Sequence, residues 1–443
     1  MKLTHTVLSL GACLVAIACS SVPNRLVGIK QCPAVRAVTT MKVLYPIVLL
    51  HGLGQKADVW HGTATSYFTR DLGLSYGGDL RVDSNGVLNN ASPNGGDADF
   101  YTVAFSDPHD SVNAWRDELE ICITHILTAT GADRVILVGY SMGGLAARAY
   151  LVKKLTDHRV KRLITIGTPH LGSPFANIWT WKSELEKCVR EQNVVLSQPC
   201  RAALSAIQGA EGDVPFDAPA VRDLRRPEDG GDYLRRLSKY AHPLDVEYVS
   251  VIGEVDLLDE IKNLRSGSVQ EILRKVLSMG GGSFTEIFES GDGVVSAKSQ
   301  DIMNIEYFTV DKSRRRTTRD VNVASVHVDH LAKNTDIQRM MLDDKAEYKG
   351  AIVCLENGVP TLTVDVADHI PEQCSVTVDV LGAATQRFVA ARGTAQLCRT
   401  ADGIVARFSV PLEGVSTDSS TPYTLKIIIT NTFGYTTTAS IMW

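Results

Sequence analysis

The sequence predicts a doubly wound α/β domain followed by a separate all-β domain, and three observations carry that prediction. Short aliphatic runs alternate with helix-like runs between about residues 42 and 334. Near Tyr348 the texture changes to Thr- and Val-rich alternation that persists to Trp443. The chain has 443 residues, 44% of them hydrophobic and 21% charged, enough for a large core and a second domain.

The strands of the first domain are "PIVLLHG", "FYTVAFS", "RVILVGY", "RLITIGTP" and "VEYVSVIG". Their unbroken, β-branched character fits strands covered on both faces, as in a parallel sheet. Between them, 111–130 and 143–155 have helical composition. Alternation of this kind implies a doubly wound, mostly parallel sheet. The domain is placed at 41–345, with a long insertion at about 174–245 expected to form a cap or lid. Trp179 and Trp181 in that insertion either face a substrate or pack the cap onto the core. A second insertion runs from about 257 to 290. The remaining 346–443 contains "TLTVDV", "SVTVDVL", "VARFSVPL", "TLKIIITN" and "TTTASIMW", the alternation of an antiparallel sandwich.

Residues 1–18 read as a signal peptide, with Lys2 before an uncharged apolar segment ending Ala16-Ile17-Ala18. Cys19 follows directly, and the site resembles a bacterial lipobox, whose Cys is lipidated. A membrane-anchored cell-envelope protein is expected, or else a secreted one, with 19–40 as an exported linker. Export permits disulfides. Beyond Cys19 there are Cys32, Cys122, Cys188, Cys200, Cys354, Cys374 and Cys398, an odd number. Cys122 sits in an amphipathic helical run and is the candidate free thiol. Cys188 and Cys200 are candidates for a short loop closure, and the C-terminal three are left unassigned. Net charge is −5, and the only basic cluster, Arg314-Arg315-Arg316 with Arg319, reads as a solvated loop. No nucleic-acid partner is expected, and no spacing calls for a metal or cofactor.

The chemistry centres on Gly139-Tyr140-Ser141-Met142-Gly143. A strand run precedes it and a small-residue helical run follows. A sharp strand-to-helix turn exposes its central side chain above the sheet edge, and flanking glycines let the two backbones approach. The helix start offers free N–H groups beside the serine oxygen, where an oxyanion would develop. A hydroxyl needs a base, and the base needs an orienting acid. Downstream, Asp292 lies in "FESGDGVVSAKS", and His327 and His330 lie in "VASVHVDHLAKN". Asp256, directly after a strand, competes with Asp292.

Several ordered motifs together resemble a bacterial lipase of the α/β-hydrolase superfamily over about Tyr45 to Asn334. They are "VLLHGLG", "GYSMGG", "GTPHLGSP", "GDGVVS" and "DHLAKN". The resemblance implies the chain order Ser, acid, His, with Ser141 as nucleophile, Asp292 as acid and His330 as base. It implies an oxyanion hole from the N–H groups of Leu53 and Met142, with His51 bracing that loop and His170 holding a strand end. The activity implied is carboxylic-ester hydrolysis on an acyl ester or lipid. An acyltransferase or thioesterase would use the same residues, and a non-catalytic surface lipoprotein would keep only the scaffold.

Overall fold

The computed structural model describes residues 30–32, 41–83, 85–90, 98–173, 218–254, 291–292, 294–325, 327, 334–342, 344–382, 384–400, 403–415 and 422–443, with 176, 190 and 215 between them. The larger domain is built on an eight-stranded sheet. Its strands are β1 (Ile47–Leu50), β2 (Tyr76–Val82), β3 (Leu88–Asn90), β4 (Phe100–Ala104), β5 (Val135–Tyr140), β6 (Val160–Ile166), β7 (Glu247–Gly253) and β8 (Thr318–Val323). The spatial order is β3-β2-β4-β1-β5-β6-β7-β8. Every neighbouring pair is parallel except the β2–β3 hairpin at one edge.

The unbroken apolar runs have their cause in this placement. Side chains alternate across the pleat, and both faces are covered. Val48 and Leu50 join one core cluster with Trp115, Leu119 and Leu145. Ile47 and Leu49 join another with Trp60, Phe68 and Ile337. The first cluster is roofed by α1 (Val112–Thr130) and α2 (Met142–Lys153). Ser111 caps α1 by accepting from the Ala114 N–H, and Gly131, with φ 66°, closes its other end. α2 is buried on all sides from Met142 to Leu151, which explains its run of small and aliphatic residues.

Five expected strands correspond to β1, β4, β5, β6 and β7. Three others have no counterpart in that reading. β2 carries two glycines, β3 is three residues long, and β8 is a polar edge strand, "TRDVNV". The basic cluster also differs from the solvated loop expected. Arg319 lies on β8, and Arg314 sits 4.3 Å over the Tyr307 ring. Arg315 donates to the carbonyls of Phe308 and Met303.

The C-terminal residues form two four-stranded antiparallel sheets. Their strands are β9 (Glu347–Glu356), β10 (Val359–Ala367), β11 (Ser375–Leu381), β12 (Gln386–Ala390), β13 (Gln396–Thr400), β14 (Gly403–Pro411), β15 (Thr424–Thr430) and β16 (Thr436–Met442). One sheet runs β13-β14-β10-β9 and the other β12-β11-β15-β16. In β15, Leu425, Ile427 and Ile429 point into the shared core while Lys426 faces out. Each such aliphatic side chain contributes about 1.5–3 kcal/mol on burial. Gln31 adds a bridge to Leu355 at the β9 edge, and Cys32 is disulfide-bonded to Cys354. Cys122, Cys374 and Cys398 are free and buried; Cys19, Cys188 and Cys200 lie outside the described residues.

Polar contacts join the two domains. The Arg162 guanidinium, almost fully buried, donates to Glu247 on β7 and to Asp344 at the approach to β9. Gln373 Nε2 donates to the Leu72 carbonyl at 3.1 Å. Among the described residues, no helix is long and apolar enough to cross a membrane.

Candidate active site

Ser141 stands at the end of β5, one residue before α2, with φ 51° and ψ −124°. A non-glycine residue at positive φ stores about 1–3 kcal/mol, which only a rigid surround sustains. The flanking glycines provide that surround. A Cβ on Gly139 would lie 2.4 Å from backbone atoms of Gly144. One on Gly143 would lie 2.5 Å from the His51 carbonyl oxygen. The strand, the helix and the loop after β1 therefore meet at contact distances that exclude any side chain.

That loop is held by its own polar groups. His51 is buried; its Nε2 accepts from the Phe105 N–H at 3.2 Å, so Nδ1 carries the proton and donates to the Gly52 carbonyl at 2.9 Å. Burial pushes its pKa down to about 4, and it stays neutral. Gln55 Oε1 accepts from the Gly52 N–H. Gly52 lies against Ser141: a Cβ there would be 3.0 Å from Ser141 Cβ. Among the described residues, neither the Leu53 N–H nor the Met142 N–H donates to a protein acceptor. Met142 directly follows Ser141, and Leu53 directly follows Gly52, which abuts Ser141.

His327 completes the arrangement. Its Nε2 lies 3.0 Å from Ser141 Oγ and its Nδ1 lies 2.7 Å from Asp292 Oδ2. A carboxylate only accepts, so Nδ1 carries the proton and Nε2 is left as an acceptor for the serine hydroxyl. Asp292 is oriented in turn, its Oδ1 accepting from the N–H groups of Val294 and Val295. The expectation of His330 as the partner of Ser141 is corrected here. The His327 N–H donates to the Asp292 carbonyl at 2.9 Å, which fixes position 327 of the loop beside the acid. His330 and Asp256 lie outside the described residues, as do Trp179 and Trp181.

Tyr140 contributes a role that the motif alone did not signal. It is buried beneath Ser141, and its hydroxyl donates to the His327 carbonyl. Its ring lies 5.2 Å from the His327 ring. Behind α2, the buried Arg148 donates to His242 Nε2 and to the His170 carbonyl, tying the helix to two loops. Among the described residues, no group of three or more His, Cys, Asp or Glu side chains is arranged to hold a metal ion.

Sheet order, strained serine turn and Ser–His–Asp geometry together give the architecture of an α/β-hydrolase fold. Residues 45–207 match the model of the family described as PGAP1-like alpha/beta domain. The chain is 32% identical over 146 residues to a triacylglycerol lipase of Burkholderia plantarii, covering 32% of this chain and 35% of that protein. It is 32% identical over 135 residues to a triacylglycerol lipase of Pseudarthrobacter phenanthrenivorans, covering 30% of this chain and 35% of that protein. The match thus spans about a third of the length of these curated relatives. Among solved structures, the mature form of Bacillus licheniformis lipase BlEst2 aligns at 20% identity with a TM-score of 0.39, over 70% of this chain and 94% of that one.

Proposed function

We propose that this protein is a serine carboxylic-ester hydrolase acting on acyl esters, with Ser141 as nucleophile, His327 as general base and Asp292 as the orienting acid. The observation that carries the reading is one imidazole bonded to both Ser141 and Asp292. The two curated relatives named as triacylglycerol lipases support an ester substrate. Ser141 Oγ attacks the ester carbonyl while Nε2 of His327 takes its proton. Asp292 stabilises the imidazolium. The carbonyl oxygen, now negative, accepts from Leu53 and Met142 N–H groups already freed of protein partners. Collapse breaks the C–O bond, and the imidazolium returns its proton to the departing alcohol. Water then attacks the acyl-enzyme by the same route, releasing the acid and restoring Ser141.

The test separates the two histidines. Hydrolysis of p-nitrophenyl esters is measured for wild type, Ser141→Ala, His327→Ala and His330→Ala, each checked for folding by circular dichroism. Ser141→Ala and His327→Ala should each lose roughly 10³- to 10⁶-fold in kcat, and His330→Ala should not. The reverse ranking of the histidines would overturn the base assignment, and an active Ser141→Ala would overturn the mechanism.

We infer further that the chain is exported and held in the cell envelope by a lipidated Cys19. The lipobox-like Ala16-Ile17-Ala18-Cys19 supports this, and the Cys32–Cys354 disulfide fits an oxidising compartment. Metabolic labelling with palmitate checks it: label should appear in wild type and vanish in Cys19→Ala.

A further inference from the structure

We infer that the cleft beside the oxyanion loop is a subsite for the negatively charged phosphodiester group of the substrate, so that the preferred ester is an anionic phospholipid. The inference rests on the hydrolase reading above and names the substrate class of the same site. The cleft has a volume of about 530 Å³ and shares His51 and Gln55 with the loop that carries Leu53. Gln55 holds the Gly52 N–H, and Gly52 abuts Ser141. The cleft thus shares a wall with the loop that abuts Ser141.

The lining sorts by chemistry. Val82, Ala104 and Phe105 provide an apolar floor, and Lys56 and Arg81 provide two cations. One carboxylate, Asp83, also lines the cleft, but its Oδ1 is committed to the N–H groups of Asn85 and Val87 in the hairpin turn. Arg81 forms a long ion pair with Asp79 Oδ2, at 4.0 Å, and is otherwise solvent-facing. Asp79 already accepts from the hydroxyls of Tyr76 and Thr102. Among the described residues, no carboxylate forms an ion pair with Lys56. Two cations thus share one concave surface, Lys56 without an ion pair among the described residues and Arg81 paired to Asp79 only at 4.0 Å, beside apolar side chains that suit the first carbons of a lipid. A phosphodiester matches both features. The β2–β3 hairpin supplies Arg81, Val82 and Asn89, so this sheet-edge element is what builds the subsite. The net charge of −5 makes the whole chain repel anions, so a preference for one has to arise locally.

The test uses two soluble esters below their micellar concentrations, which removes any membrane surface. Dihexanoylphosphatidylglycerol carries the phosphodiester, and dihexanoylglycerol lacks it. Wild type should favour the former in kcat/KM by roughly tenfold, the scale of two partly solvated ion pairs, and the ratio should shrink as salt is raised. In Lys56→Gln/Arg81→Gln the ratio should fall to near one. Equal turnover of both esters by wild type, or a ratio that survives the double substitution, overturns the subsite. Turnover that is independent of Ser141 overturns the hydrolase reading instead. Competition by millimolar inorganic phosphate against dihexanoylphosphatidylglycerol in wild type, absent in the double variant, would place the anion in this cleft; equal inhibition of both proteins would place it elsewhere.

Discussion

At the scale of single residues, the site depends on side chains that hold other side chains. Tyr140 occupies the variable position before the nucleophile, and its hydroxyl fixes the carbonyl of the base residue. Tyr140→Phe keeps the ring and removes only that donor. The His327 backbone then keeps only its N–H bond to the Asp292 carbonyl, and the imidazole is held less closely to Ser141. kcat should fall by roughly 10- to 100-fold with KM nearly unchanged, the signature of lost positioning rather than lost binding. Steady-state kinetics with p-nitrophenyl butyrate would show this; an unchanged kcat would mean the loop is held without Tyr140. Ser141 and Asp292 were legible because each sits in a local motif whose geometry follows from short-range backbone rules. His327 against His330 was not legible in that way. They are three positions apart in one short stretch of sequence, and only the long-range contacts of His327 with Ser141 and Asp292 distinguish it.

At the scale of elements, the sheet edges are where sequence patterning fails. Central strands announce themselves by burial on both faces. β8, with one face half-solvated, has no apolar run to announce. It carries a titratable contact in compensation. Asp320 on β8 and Asp301, at the cap of the Ile302–Asn304 turn, hydrogen-bond through their carboxyls. Burial and the repulsion of Asp301 raise the Asp320 pKa from 3.8 to about 6. The folded chain therefore binds this proton more tightly than the unfolded chain. The resulting stability is fully present below pH 3.8 and is lost as pH rises through about 6. Asp320→Asn keeps a neutral partner at all pH values. Its melting temperature relative to wild type should rise between pH 4 and pH 7.5, and parallel curves would rule out the shared proton. β2 failed for a different reason: Gly77 and Gly78 weaken strand propensity, and Gly77 is required because a Cβ there would collide with the Tyr101 ring at 2.1 Å.

At the scale of the whole molecule, the chain is closed by a bond that no local pattern could disclose. Cys32 and Cys354 are 322 positions apart, and pairing across such a span depends on the finished fold. Their cross-link removes a large loop from the unfolded ensemble, an effect worth about 2–5 kcal/mol. Cys32→Ser/Cys354→Ser should lower the melting temperature by several degrees in calorimetry, and dithiothreitol should reproduce the shift in wild type and not in the variant. Ester hydrolysis at 25 °C should persist, since the bond lies on the sandwich and not on the catalytic sheet. The alternating strands of the sandwich were readable, and so was its separateness. Its contact with the catalytic sheet through Arg162 was not, because Glu247 and Asp344 lie far along the chain from their partner.

The same bond sets a radius of action. Cys19 and Cys32 are 13 positions apart, so the lipid proposed on Cys19 would be tied to the sandwich by about 45 Å of chain at most. The cross-link reinforces the backbone bridge that already seats residues 30–32 on β9. With the lipid proposed on Cys19, the anchor would be attached to the chain through the sandwich, on the β9 edge, and not through the eight-stranded sheet.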